Sequence, residues 1–395
     1  MQERLTVLIT NIALAWRSGT EIVIDQIARG LNSRGHRPIV FAPYAGGPLT
    51  AGLRRIGIAV VERLSEVGCT PDIIHGQHNV TTVMALAAFP RTPALFSCHG
   101  FDSPKDRPPL VPRIRRYLAV DDCCRERLAR DGAPQDRIDV VYNAVDLDQY
   151  RRRGPLPERP ERVLVLTKGA EHLEVVRSAT AAAGLALDEL GSGAGSVVDD
   201  LPARLPAYDI VIATARMAKE AIAAGCAVVV CDHRGFAGLA TSGTLEEWRR
   251  HNFGCRLLTR PTTEPLLADA LARYDAEDAA RVTDVVRAED NLESHLDRLE
   301  HIYRSILSDP GAIDSARDLE ALSPFLEDFL ISRDFSRPWV ELYRNVTDDA
   351  SDVLEETLSR HTGKLRADIL QGLDHVARRL DEALSERPPT RWRVW

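Results

Sequence analysis

Several things are scarce in this chain of 395 residues, and each scarcity narrows what it can be. No run of about eighteen uncharged apolar residues occurs. Met1-Gln-Glu-Arg4 leads directly into the apolar segment Leu5 to Thr10, so neither a membrane span nor a secretory leader is read. The expectation is a cytoplasmic protein, at most peripheral to the inner membrane face. A basic surplus is also missing. Fifty Lys and Arg stand against 58 Asp and Glu, a formal charge of −8, and the pI is near 5.8. With no aromatic-basic platform either, a general nucleic-acid binder is disfavoured. The seven cysteines, at 69, 98, 123, 124, 226, 231 and 255, contain no C-x-x-C pair. They read as free thiols in a reducing compartment, without a zinc site. His75 and His78 lie three apart but have no companion ligands, so no metal and no cofactor is assigned.

What the chain does have is alternation. Hydrophobic residues make up 44% and charged residues 27%, enough for two α/β domains and an extension. Strand-like runs at Leu5 to Ile9, Arg37 to Ala42, Ile58 to Glu62, Asp72 to His75, Ala94 to Cys98, Tyr117 to Val120 and Ile138 to Tyr142 are interleaved with helical patterns near Glu21 to Arg34, Leu49 to Ile56 and Val80 to Ala88. That order predicts a parallel sheet with helices on both faces. Ser18 and Glu21 form a candidate capping box for the first helix, and Gly35 follows its end. The proline- and charge-rich Arg151 to Pro160 cannot sustain a helix or a central strand and marks a linker.

A second series follows, with strands at Arg162 to Leu166, Ala186 to Leu190, Tyr208 to Ala213, Cys226 to Cys231 and Arg256 to Thr259. Helices are expected near Leu173 to Ala183, Asp199 to Leu205 and Arg216 to Ala224, and then to Leu307. Beyond Pro310 only helical periodicity remains. Ile369, Leu373, Val376, Leu380 and Leu384 step like a short coiled-coil seam, which suggests an oligomerisation or docking arm; a helix packed on its own body is the alternative. Pro388, Pro389 and Arg391 to Trp395 end that helix. The expected fold is α/β, with two Rossmann-like doubly wound domains, 1–155 and 156–308, facing a cleft, and a C-terminal helical extension, 309–395.

The densest chemistry lies in Tyr208 to Asp232, which reads as strand, tight turn, short helix, strand, closed by Gly225. The helix starts at the carboxyl end of a strand, where open α/β sheets bind ligands and where unpaired N–H groups attract phosphate. Glu220, one turn in, could hold a ribose, or could be the solvent face of an amphipathic helix.

Particular stretches resemble a family. Asn11 to His36 with Ser18-Gly-Thr-Glu21, Pro71 to His75, Leu95 to Gly100, and Tyr117 through Gly132 to Tyr150 resemble the first domain of retaining glycosyltransferases of the GT-B fold, family four. Ala144 stands at the glycine of the Asn-Gly-Val-Asp pattern. Lys168-Gly169 resembles the family's donor-loop lysine, and Lys219 to Val230 its helix and strand around the ribose-binding glutamate. The likeness runs to about residue 308. Three departures bear on the donor: Ile212 stands eight before Glu220 where the family has a glutamate, Thr214 to Ala218 replaces a longer glycine-rich loop, and no basic residue precedes Lys168 in its loop.

The resemblance implies a hexosyltransferase-like enzyme that uses a nucleotide sugar as substrate, without a metal, on a glycan, glycoconjugate or protein-linked acceptor. His99, at the end of a strand, would face the reacting sugar, and Lys168 and Arg216 would stabilise the departing pyrophosphate. Donor contacts would come from Gly19, Thr20, Lys168, Arg216, Met217, Glu220, Gly235 and Phe236, with the backbone of Arg234 to Phe236 near sugar or phosphate. Asn143 and Asp146 would brace the hinge. The departures leave two alternatives open: a non-catalytic GT-B protein serving as a binding or assembly subunit, and a sugar-nucleotide epimerase or hydrolase.

Overall fold

The computed structural model describes residues 4–331 other than 17, 197, 199 and 312. Residues 1–322 form one compact unit. The heptad-like seam at 369–384 and the Arg391 to Trp395 end lie outside the described residues. Of the second unit, from 323 on, the described part is the end of the helix Ser315–Ile331, which contains Pro324.

The first sheet has seven strands: β1 (Thr6–Thr10), β2 (Arg37–Phe41), β3 (Ala59–Val61), β4 (Ile73–Gln77), β5 (Ala94–Cys98), β6 (Ile114–Ala119) and β7 (Ile138–Val140). Their order is β3-β2-β1-β4-β5-β6-β7, parallel throughout. Apolar, β-branched runs suit strands covered on both faces, and β4 and β5 are buried along their whole length. The helix Gly19–Ser33 lays Val23, Ile24, Ile27, Ala28 and Leu31 on one face of the sheet. Its start differs from the capping box expected there: the Ser18 side chain caps no N–H, and the Glu21 carboxylate instead accepts from Trp16 N at 2.7 Å. Glu21 thereby ties down the loop before the helix.

The second sheet has β8 (Arg162–Leu166), β9 (Ala186–Leu190), β10 (Ile210–Ala213), β11 (Ala227–Asp232) and β12 (Gly235–Leu239), in the order β9-β8-β10-β11-β12. It departs from expectation at one edge. β12 runs antiparallel to β11, with a bulge at Val230/Cys231. Arg256 to Thr259, expected to be a strand, instead begins within the 3-10 turn Cys255–Leu257, because Asn252 and Phe253 at left-handed φ (49° and 51°) turn the chain just before it. The helix Ala215–Ala223 ends where Gly225, at φ 94°, lets Cys226 N reach Ala221 O.

The chain then crosses back. Leu296, Leu299, Ile302, Tyr303 and Ile306 of the helix Leu292–Ser308 are buried in the core of the first sheet. Leu296 is fully buried. Leu296→Ala is therefore expected to cost about 2–5 kcal/mol in denaturant unfolding, because a buried leucine loses both transfer energy and packing. A cost near zero would show that this helix is not part of that core.

Candidate functional site

Both sheets place their candidate residues at the same kind of position. In the second sheet the chain leaves β8 for β9 on one side and returns to β10 on the other, so a crevice opens at the carboxyl ends of β8 and β10. The register Val165 to Ile212, continued two residues, sets Thr167-Lys168 beside Thr214-Ala215. Lys168 is exposed. Thr167 shapes the turn under it, donating from Oγ1 to Gly169 O at 2.6 Å and accepting from Gly169 N at 3.2 Å.

Strand β10 passes through the single residue Thr214 into the helix Ala215–Ala223. This short connection puts Ala215 at a left-handed φ of 53°, a cost of about 1–3 kcal/mol for a non-glycine residue. Ala215 N donates to Phe253 O at 2.7 Å. Met217 is half-buried and packs against the core. Glu220 is 4% exposed, and Arg216, one turn earlier, donates from Nε to Glu220 Oε1 at 2.7 Å. Arg216 is thus a paired cation, with its Nη1 buried and without a protein partner.

Lys219 leaves the same helix toward the interior. It is fully buried, donates to Asn143 O at 2.9 Å and lies 3.3 Å from Asp290, whose other oxygen takes Arg249 Nη2 at 2.9 Å. Burial pushes the Lys219 pKa down, with Asp290 opposing. Burial also works against the Asp290 charge, but Lys219 and Arg249 overcome it and hold that carboxyl below its ordinary range. Asp290 lies where the chain returns to the first sheet, and its carbonyl accepts from Val145 N at 2.8 Å. Lys219 therefore anchors the Asn143 hinge segment, with Val145 pairing to Asn291 alongside. Asp146 instead caps its own turn, accepting from the Asp148 and Gln149 N–H groups.

Arg234 to Phe236 does not offer its backbone as expected. Gly235 opens β12, and the Phe236 N–H is spent on Arg260 O at 2.7 Å, with the ring buried. Arg234 binds Asp232, which Thr214 Oγ1 also reaches at 3.0 Å. A residue the sequence reading passed over, His172, lies just after the Lys168 turn, buried, with both ring nitrogens lacking protein partners. Burial lowers its pKa. Its only sequence signal was a histidine four residues beyond Lys168.

In the first domain, Gly19 and Thr20 open the first helix, and a Cβ on Gly19 would meet nothing within 4 Å. His99 follows β5. Its N–H donates to Asp106 Oδ1 at 2.9 Å, while its Nε2 is buried without a protein partner. It lines a cavity of about 10 Å³, shared with His75, Ser97, Asn143 and His295. That is room for one water. His75 is bonded at both nitrogens, Nδ1 to Tyr303 Oη at 2.7 Å and Nε2 to Ser97 Oγ at 2.8 Å. Lys105, also passed over, is exposed, and its charge acts on Glu21, His78 and His99.

Residues 17–149 match the model of Glycosyltransferase Family 4. The matched stretch lies in the first domain. A glycosyltransferase from Rickettsia africae superposes with a TM-score of 0.56 at 14% identity, covering 78% of this chain and 100% of that one. HepE of Anabaena, in complex with UDP and glucose, gives 0.52 at 14% identity, covering 76% and 100%. The catalytic domain of starch synthase IV from Arabidopsis thaliana, bound to ADP and acarbose, gives 0.50 at 12% identity, covering 78% and 100%. These likenesses establish the GT-B fold. No curated protein sequence matches the chain. Among the described residues no helix is long and apolar enough to cross a membrane.

The buried histidines set an acid limit on this fold. Burial pushes His75 down to about 3, and His99 and His295 down to about 4, from an ordinary 6.5. Unfolded rings take up protons that folded ones refuse, so stability is full above the unfolded value and falls as pH drops through it toward the folded values. Each ring is expected to remove roughly 2 kcal/mol between about pH 7 and pH 5. Denaturant unfolding across that range tests this, and His295→Phe should flatten the slope by about one proton.

Proposed function

We propose that this protein is a glycosyltransferase that moves a sugar from a nucleoside-diphosphate donor to an acceptor hydroxyl, with retained configuration and without a metal. The observation that carries the reading is the crevice of the second sheet, where Lys168 and the Arg216–Glu220 pair meet the amino end of a helix. HepE, with the same fold, holds UDP and glucose, which makes UDP the first nucleotide to try. Glu220 Oε2 takes no hydrogen bond among the described residues, while Oε1 is held by Arg216. A ribose diol would donate to that free oxygen. The diphosphate would lie toward Lys168 and the first-turn N–H groups of Arg216 to Ala218, where positive charge and the helix dipole stabilise a leaving anion.

Retention follows from the family likeness. In it, the acceptor hydroxyl attacks the anomeric carbon on the face from which the phosphate departs, and the hydroxyl proton passes to the leaving phosphate oxygen. His99 would hold the transferred sugar from the facing domain.

Thermal unfolding with a panel of nucleoside diphosphates and nucleotide sugars tests this reading. A ligand at about a hundred times its Kd adds about 2.7 kcal/mol to native stability. One nucleotide family is expected to raise Tm in the wild type but not in a folded Glu220→Ala variant. If no nucleotide shifts Tm, the donor reading is wrong, and a binding or assembly subunit becomes the better account of the shortened crevice.

A further inference from the structure

One contact between the two domains touches site residues of both. In the second domain, residues 251–254 join the helix Leu245–Arg250 to the 3-10 turn Cys255–Leu257. Asn252 and Phe253 hold left-handed φ there, and Phe253 is fully buried. Phe253 O accepts the Ala215 N–H at 2.7 Å, so this connection grips the residue that opens the Glu220 helix. At its two ends stand Arg250 and Arg256, and both reach the first domain.

Their partner is the helix Asp122–Arg130. Arg250 donates from Nε to Asp122 Oδ2 at 2.8 Å, and Arg256 pairs with Glu126. Cys123 lies beside them, its Sγ 3.9 Å from both His251 Nδ1 and Arg256 Nη1. Asp122 and Glu126 are four residues apart and so share one stripe of the helix. Arg127, about 100° further round, serves its own domain. It is 6% exposed and donates from Nη1 to Gly100 O at 2.6 Å and from Nε to Asp131 Oδ2 at 3.1 Å. Gly100 follows His99, whose N–H is held by Asp106. The His99 turn thus has two fastenings, Asp106 and Arg127, and Arg127 belongs to the helix that the second domain holds.

The seam is poorly placed to stabilise the fold. The Arg256 and Glu126 side chains are 48% and 54% exposed, and ion pairs so open to water add little. What they fix is where the helix lies against the connection. The bond from the buried Arg127 guanidinium to the Gly100 carbonyl is charge-assisted and directional, so Gly100 follows the helix.

We propose that Arg250 and Arg256 are positioning residues for His99. From the second domain they set the helix Asp122–Arg130, and Arg127 of that helix sets the Gly100 carbonyl and with it the His99 turn. Because Phe253 holds Ala215 in the same connection, one seam aligns the start of the Glu220 helix with His99. That His99 meets a sugar rests on the glycosyltransferase reading; its dependence on the seam does not.

The test uses ligand-free, full-length protein with ¹⁵N-labelled histidine, its His99 signals assigned by their loss in His99→Gln. Wild type is compared with Glu126→Arg, Arg256→Glu and the double exchange, all at half-exposed positions. Each single reversal is expected to shift the His99 ring signals and to speed exchange of its backbone amide about threefold or more. The double exchange restores opposite charges and should return both to wild-type values. In Arg127→Gln, Arg256→Glu should add no further change, because the two act in series. The proposal is overturned if His99 is unmoved in both single variants, if the double exchange stays as displaced as the singles, or if Arg256→Glu moves His99 equally with and without Arg127. Should Arg127→Gln fail to fold, the charge exchange decides alone. No nucleotide is present, so the two readings fail separately. A missing UDP shift in Tm removes the donor reading and leaves the seam, whereas an unmoved His99 removes the seam and leaves the donor reading.

Discussion

The constraint on which this molecule depends is the topology of its parallel sheets. A parallel pair needs a crossover, and a chain that builds outward from its first strand and then reverses leaves two neighbouring strands whose outgoing loops part. That happens twice, between β1 and β4 and between β8 and β10. At each place a non-glycine residue directly before or at the start of the following helix is forced into left-handed φ, His78 in one and Ala215 in the other. Strain at matched positions in two separately built sheets is what results when a strand must turn at once into a helix whose amino end borders the crevice. The rest of the structure is arranged to hold these two turns.

One holding device is the buried charge cluster of Lys219, Asp290 and Arg249. Ion pairs taken out of water gain little net stability, because desolvation offsets much of the attraction. What this cluster supplies is position. Lys219 is on the helix that carries Glu220, Asn143 on the segment leaving the first sheet, and Asp290 at the start of the return to it. A single ammonium group therefore touches both crossings between the sheets and the helix that borders the second crevice. Neighbouring side chains on one helical turn are divided between two tasks: Arg216 and Glu220 border the crevice, and Lys219 secures the hinge behind it.

Much of this was legible in the sequence because burial and β-branching coincide. Runs such as Leu5 to Ile9 and Tyr208 to Ala213 are apolar enough to be strands covered on both faces, and Gly225 marks the end of the helix that follows. The sequence misled where tertiary pairing overrode local pattern. Arg256 to Thr259 has a strand-like composition, but β12 already occupies the sheet edge, so the segment turns. Gly235-Phe236 looked like a ligand loop and is instead half of a hairpin. Gln77 and His78 were hardest to see, since nothing in the letters shows that a glutamine is buried without partners. That property exists only once β1 and β4 lie side by side. Arg216 was legible as a cation but not as one already committed to Glu220, because an i,i+4 pair on a surface helix is ordinarily solvated and weak.

These features bear on how the fold tolerates its own site. Two strained turns and several buried unpaired polar groups subtract several kcal/mol from a margin that is typically about 5–15 kcal/mol. The offset lies in continuous apolar packing on the far side of each crevice: the helix Leu292–Ser308 closes the core of the first sheet, and Ala218, Ala221 and Ile222 seat the Glu220 helix in the second. The return helix is thus structural in a specific sense. By burying Leu296, Leu299 and Tyr303 against the first sheet while Asp290, just before it, grips Lys219, it couples the core that tolerates the strain at His78 to the helix that presents Glu220. Loosening that one helix would relax both crevices together, and so the two halves of the cleft depend on a single stretch of chain that lies in neither of them.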